Sequence, residues 1–303
     1  MWYNGGMTHL GDGGETGMVV DTTDRSKLKL GRAVGPEEYR RAQLDMLDAL
    51  AAFCDSHGLT YYLSGGTLLG AVRHRGYIPW DDDIDVNMPR PDYEKLKTLT
   101  GCKLGDHIEL ASPEGPIEHS TSFPRLCDTR YVLKSESKDG KSVYYTNLFI
   151  DIFPIEGLPT DLKRVRLHYY RTKFMITMRR LAYFQGPLSG KPGFYKNMRA
   201  ALRPIARLFG WRYWNRRLLA IATKYRYEDC AYVGVATGYA HTMEEYIKKE
   251  GYGVPTKVEF EGRLYNAPAD TDKYLTNLYG DYMKLPPESE RVAHHFDIWE
   301  VER

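Results

Sequence analysis

The chain of 303 residues has few cysteines, and Cys54, Cys102, Cys127 and Cys230 lie far apart without a CxxC pair. Neither a zinc site nor a disulfide framework is indicated, and a reducing compartment fits best. No apolar run approaches the length of a bilayer span, and MWYNGGMTHLGDGGETG lacks the basic-then-apolar order of a secretory leader. The expectation is a cytoplasmic protein. There is no internal repeat and no low-complexity segment, and from Leu162 to Arg226 there is no Asp or Glu.

What is present is globular in composition. A hydrophobic fraction of 42% against 27% charged residues excludes a disordered or collagen-like chain. The length allows one large domain or roughly two ordinary ones, with a core that needs no disulfide. The net charge of +2 conceals an asymmetry: 17 Lys or Arg residues fall between 162 and 226, leaving 25 basic against 40 acidic residues elsewhere. A basic segment is joined to an acidic body.

Residues 1–34 are glycine-rich and aperiodic and read as a loosely held arm. A helix should begin at Pro36, with Glu37 and Glu38 in its first turn, Met46, Leu47, Leu50, Phe53 and Cys54 as its apolar stripe, and Gly58 as its stop. Thr60–Leu63 reads as a strand, Thr67–Arg73 as a short helix, Asp83–Met88 as a second strand, and Asp92 to Leu99 as a helix. Further strands are expected near Ile108–Ala111, Pro124–Leu133 and Asn147–Phe153, with a turn at SESKDGKS. Helices broken at Gly186–Pro192, Pro204 and Gly210 follow, then a strand around Lys257–Leu264 and a helix from Asp270 to Tyr279. The fold class is α+β: a mixed sheet with flanking helices in a core over 35–160, an inserted basic helical region over 161–227, and a mixed part over 228–303 that completes the active site.

Chemistry concentrates in Tyr61–Met88, YYLSGGTLLGAVRHRGYIPWDDDIDVNM. Gly65 and Gly66, between a strand and a helix, let backbone amides approach a phosphate. On a strand, Asp83 and Asp85 share a side, roughly 7 Å apart at Cα, while Ile84 and Val86 face the core. Asp81 extends the row, and Asp82 faces away into solvent. The donors are all oxygen, which favours Mg²⁺ (or Mn²⁺) over zinc. Asp151, in the apolar run LFIDIFPI, offers a third carboxylate whose charge is costly there unless paired or bound to metal. Arg73 and His74 fit either phosphate binding or a solvated surface pair, and Arg125 either a donor phosphate or a neighbouring acid.

Taken alone, WDDDID reads more readily as a solvated turn. A calcium loop matches Asp81, Asp83 and Asp85 but fails at Val86, where glycine is required, and at Asp92, where Glu is expected. Gly140, Lys141 and Ser142 end like a phosphate loop, but Ser135 stands in place of its first glycine.

LSGGTLLGAVRHRGYIPWDDDIDV, FIDIFPIEGLP and NLYGDYMKLPPESERVAHH resemble the central, second and carboxyl-terminal motifs of the LicD family of phosphotransferases, which includes relatives of fukutin-related protein. The resemblance covers roughly residues 36 to 297. It implies a polymerase-beta-like nucleotidyltransferase fold and transfer of an alcohol phosphate, such as phosphocholine, from a CDP-alcohol to a sugar hydroxyl of a surface glycopolymer. By position, Asp83 and Asp85 would be the metal-binding pair, Asp81 an accessory acid, and Asp151 a further metal ligand or the base. Gly65, Gly66 and Thr67 would lie under the donor phosphates. Glu156 stands where such proteins commonly have Asp. His294 and His295 follow the third motif, with His294 a candidate for closing over the site and a structural role the alternative.

The basic segment interleaves its cations with Tyr169, Tyr170, Phe174, Trp211, Tyr213 and Trp214. That pattern fits an anionic membrane face, where a lipid-linked glycan acceptor would be presented, or equally a solvated helical face whose aromatics are core. No nucleic-acid module is present, so nucleic acid is not expected. Two rival functions remain: a nucleotidyltransferase that releases pyrophosphate, and a non-catalytic nucleotide-binding scaffold.

Overall fold

A computed structural model of the chain describes residues 29–113, 121–136, 143–183, 188, 193–238, 243–291 and 297–302. Its first part runs β1 (Lys29–Ala33), α1 (Pro36–His57), β2 (Tyr62–Leu63), α2 (Gly65–His74), β3 (Asp85–Pro89), α3 (Arg90–Thr100), β4 (Ile108–Ala111), β5 (Arg125–Glu136) and β6 (Val143–Leu158). The helices α4 (Leu162–Tyr183), α5 (Phe194–Phe209) and α6 (Trp211–Ala222) follow. The chain then returns to mixed structure with β7 (Tyr232–Val235), β8 (Ile247–Lys248), α7 (Lys249–Tyr252), β9 (Thr256–Phe260), β10 (Arg263–Ala267), α8 (Thr271–Tyr279) and β11 (Asp297–Glu302).

Nine strands among the described residues form one mixed sheet ordered β1-β11-β5-β6-β3-β2, with β4 on β5, and β7 and then β8 reached from β6. The fold is therefore α+β, as the sequence predicts. β6 is the axis of the sheet. Alternation along it turns Leu148, Ile150 and Ile152 to one face, all essentially buried, and Phe149, Asp151 and Phe153 to the other. β3 pairs with β6 in parallel, and Ile155 is flanked by Pro89 on one edge and Val235 on the other. Leu63, Val86 and Ile152 lie abreast, as do Leu126 and Ile150, and all are fully buried.

The stripe predicted for α1 packs into the same core, where Met46, Leu47, Leu50 and Cys54 have no exposure. Gly58 ends the helix in the left-handed conformation that glycine adopts at no steric cost. The second strand begins at Asp85 rather than Asp83: residues 81–84 have no regular structure and are held by single hydrogen bonds, Gln43 Nε2 to the Asp82 carbonyl at 3.0 Å and the Asp151 amide to the Ile84 carbonyl at 2.9 Å. α2 begins at Gly65, two residues before the predicted start.

Three further expectations are corrected. The strand placed around Lys257–Leu264 is a hairpin of β9 and β10, whose turn residues Glu261 and Gly262 both take the positive φ of a tight two-residue loop. Pro204 does not break α5, which continues through it. Lys29–Ala33, read as part of the arm, is β1 and pairs with β11. The expected break at Gly186–Pro192 lies, apart from Leu188, outside the described residues, as do 137–142 of the expected SESKDGKS turn.

α4, α5 and α6 share a small separate core of Met178, Leu181, Ala182, Ala206 and Trp214. Arg179, fully buried on α4, ties this layer to the body: its guanidinium donates to Asn215 Oδ1 at 3.0 Å and to the Thr121 carbonyl at 2.7 Å, just ahead of β5. All four cysteines are free thiols. No described helix is long and apolar enough to cross a membrane.

Candidate active site

Strand register builds the site. Asp151 on β6 pairs with Asp85 on β3 along one edge and with Arg125 on β5 along the other, so three charged side chains stand abreast on the same face of the sheet. All three are buried. The Arg125 guanidinium donates from Nε to Asp151 Oδ1 at 2.6 Å and lies against the Phe149 ring, its Cζ 3.7 Å from the centroid. Of the two roles open to Arg125, the structure shows the pairing with an acid. Its Nη1 is buried without a hydrogen-bond partner among the described residues.

Asp81 and Asp83 continue the acidic row. Burial, followed by the charge of Asp83 and a hydrogen bond to it, raises the Asp81 carboxyl well above its ordinary range. Burial, then Asp83, Asp151 and Asp81, raises Asp85 in the same way. Burial likewise lifts Asp151 to about 6, against the opposing pull of Arg125. Ile84 and Val86 are fully buried in the apolar core, as alternation requires.

Asp82 departs from the solvated position expected of it. It is buried, and α1 holds it: Arg40 Nη2 donates to its carboxylate at 3.2 Å, and Gln43 Nε2 donates to its carbonyl at 3.0 Å. Gln43 also accepts from the Tyr77 hydroxyl at 3.1 Å. One acid of the run is thereby turned back to α1 while its neighbours form the row.

The glycine turn braces this row. Gly65 takes a φ of +50°, and a Cβ there would lie 3.2 Å from Asp85 Oδ2, so a side chain would crowd the carboxylate. Gly66 is buried in the first turn of α2, where no side-chain cap covers the helix start. The Thr67 hydroxyl accepts from the Asp85 amide at 2.8 Å, so this side chain positions the acidic segment.

Arg73 and His74 sit at the other end of α2. Arg73 donates to the Tyr282 carbonyl at 2.9 Å and to His74 at 3.0 Å, and both are partly buried rather than a solvated pair. Burial, then Arg73, lowers the His74 pKa. Arg291 completes this corner over the Trp80 ring, 5.4 Å from its centroid. His294 and His295 lie outside the described residues.

Three features escape a reading by motif. Tyr279 places its hydroxyl above Gly65, and its titration is pushed up by burial and by Asp81, Asp85 and Asp83, which puts the phenol beside the acids. Its position within NLYGDYMKLPP is the available signal. Glu156, the unusual residue after IFPI, is fully buried and takes a bidentate contact from Arg90, with Nε at 3.0 and 3.1 Å. Its role is to join the start of α3 to β6. Asn87, two residues along β3 from Asp85, donates to the Tyr252 and Tyr274 hydroxyls at 2.9 and 3.1 Å and so anchors the carboxyl-terminal part to the acidic strand.

A divalent cation is compatible with this donor set. Among the described residues no three His, Cys, Asp or Glu side chains are grouped as a ready-made metal cage. Mg²⁺ needs none, since it is typically held by one or two carboxylates with substrate phosphates supplying further oxygens. These buried carboxylates also repel one another, which raises Asp81 and Asp85, and the Arg125 guanidinium is paired through Nε with Asp151 rather than with either of them.

Comparison with known proteins places the site in context. Residues 58–181 match the model of the LicD/FKTN/FKRP nucleotidyltransferase domain. Lipopolysaccharide cholinephosphotransferase LicD of Haemophilus influenzae is 31% identical over 260 residues, covering 85% of this chain and 95% of that protein. Ribitol 5-phosphate transferase FKRP of Homo sapiens is 38% identical over 55 residues, 18% of this chain and 11% of that protein.

Proposed function

The chain belongs to the LicD family, and from that premise we propose that it moves an alcohol phosphate, phosphocholine or a close analogue, from a CDP-alcohol to a sugar hydroxyl of a cell-surface glycan or its lipid-linked precursor. Its place among transferases rests on the match along nearly the whole length of the Haemophilus enzyme. The observation that carries the proposal is the register that sets Asp85, Asp151 and Arg125 abreast, with Asp83 and Asp81 continuing the row.

Asp83 and Asp85 would hold Mg²⁺ or Mn²⁺, with Asp81 as an accessory acid. When bound, the cation supplies positive charge to the donor diphosphate and to the CMP that leaves. Asp151 is the base in this scheme: with its pKa near 6, it is ionised at neutral pH and can take the proton of an acceptor hydroxyl. Arg125 keeps Asp151 oriented through Nε, while Nη1 is left to meet a phosphoryl oxygen. Thr67 and Gly65 keep Asp85 in place from behind.

Incubation with Mg²⁺ and CDP-choline, CDP-ribitol or CDP-glycerol, with nucleotide products separated by chromatography, tests the proposal. CMP released from one of these donors is the expected result. Pyrophosphate released from CTP, with no CMP from any CDP-alcohol, would replace it with nucleotidyl transfer.

A further inference from the structure

α5 is strongly amphipathic, with Lys196, Arg199, Arg203 and Arg207 on one side and Phe194, Met198, Ile205, Leu208 and Phe209 on the other. In an ordinary surface helix the apolar side would be buried. Here Ala206 is the residue of α5 that is fully buried, and the partly buried side that packs inward includes Leu202, Arg199 and Arg203. The apolar side points out: Phe194 is 77% exposed and Leu208 81%, and Met198, Ile205 and Phe209 are exposed as well. α4 adds Leu167, Tyr170 and Phe174, at i, i+3 and i+7, also exposed.

We propose that the outward face of α5 is a docking surface for an anionic lipid bilayer. Exposed apolar residues grouped on one helix face mark an interaction site. The charge of this layer selects the partner, since 162–226 carries no carboxylate while Arg166, Arg171, Lys173, Arg212, Arg216 and Arg217 are all exposed. A second copy of the chain would bring two such surfaces together and repel, whereas acidic headgroups are complementary to them. Phe194, Ile205 and Leu208 enter the boundary between headgroups and acyl chains, and the exposed Arg166, Arg171 and Lys173, interleaved with Leu167, Tyr170 and Phe174 on α4, reach the phosphates. This inference does not depend on which phosphate donor the acidic site uses.

The test is co-sedimentation of the full chain with vesicles of phosphatidylcholine alone or mixed with phosphatidylglycerol, at low and high salt. Recovery with the mixed vesicles should exceed that with neutral ones by about tenfold or more and fall as salt rises. Leu208→Asp and, separately, Phe194→Asp should each weaken recovery by about tenfold, with melting temperature and donor turnover in solution unchanged. Equal recovery with neutral vesicles, or none with either, would overturn the proposal. So would a dimer on gel filtration that Leu208→Asp converts to monomer, which would assign the face to a second copy.

Discussion

α1 and α5 solve the same problem in opposite ways. α1 turns Met46, Leu47 and Leu50 into the core without exposure, whereas α5 leaves Phe194 and Leu208 outside. Charge is arranged just as differently in the two regions: the body buries Asp81, Asp83, Asp85 and Asp151 together, while 162–226 gathers cations without an acid. Each region thus holds an arrangement that is unfavourable for the isolated chain. Clustered buried carboxylates are relieved by a cation, and an outward apolar face is relieved by a surface to enter.

The largest effect is expected where the buried acids are altered. Asp85→Asn should lower CMP release by about a hundred- to a thousandfold with the melting temperature preserved or raised, because a repelling buried charge is removed. Next in size is the buried pair that braces the same sheet. Glu156→Gln leaves Arg90 without its carboxylate and should cost about 3 to 5 kcal/mol by urea unfolding. Replacing Arg90 and Glu156 together with Leu should recover most of that loss.

Gly65→Ala should cost about 1 to 2 kcal/mol, the strain of a left-handed Ala, and should also depress turnover by displacing the Asp85 carboxylate. Smaller again is the effect of pH on stabilisation by Mg²⁺. Asp151 titrates near 6 in the folded chain against an ordinary 3.8, and Asp81 and Asp85 are raised too. The unfolded chain therefore releases these protons at lower pH, and stability present below about pH 4 is lost as pH rises through 6. Thermal scans should show Mg²⁺ raising the melting temperature more at pH 7.5 than at pH 5, where protons already neutralise the row.

The smallest effect belongs to the other region. Leu208→Asp should change folding stability by no more than about 0.5 kcal/mol, since the side chain is 81% exposed. A clear destabilisation in chemical denaturation would mean that this face is packed, and the contrast with α1 would disappear.

Much of the site is legible in the sequence because it rests on local chemistry. Alternation separates Asp83 and Asp85 from Asp82, and apolar neighbours mark Asp151 as buried. What is not legible depends on contacts far apart in the chain. That α1 captures Asp82 through Arg40 and Gln43 reflects packing between segments about forty residues apart, so Asp82 looks solvated from its own neighbours alone. Tyr279, about two hundred residues further along the chain, brings its hydroxyl over Gly65, a contact that no local reading shows. Glu261 and Gly262 form a tight turn without the usual Asn-Gly or Asp-Gly, which hides a hairpin inside one apparent strand. The outward face of α5 is hidden for a related reason: periodicity shows that a helix is amphipathic but not which side meets the protein.

The most direct test of the acidic row as a cation and donor site is Mn²⁺ binding followed by electron paramagnetic resonance, with and without CDP-choline. The account predicts that the chain binds Mn²⁺, that CDP-choline tightens the binding, and that Asp85→Asn abolishes both effects. Mn²⁺ binding in Asp85→Asn equal to that of the unaltered chain would contradict it.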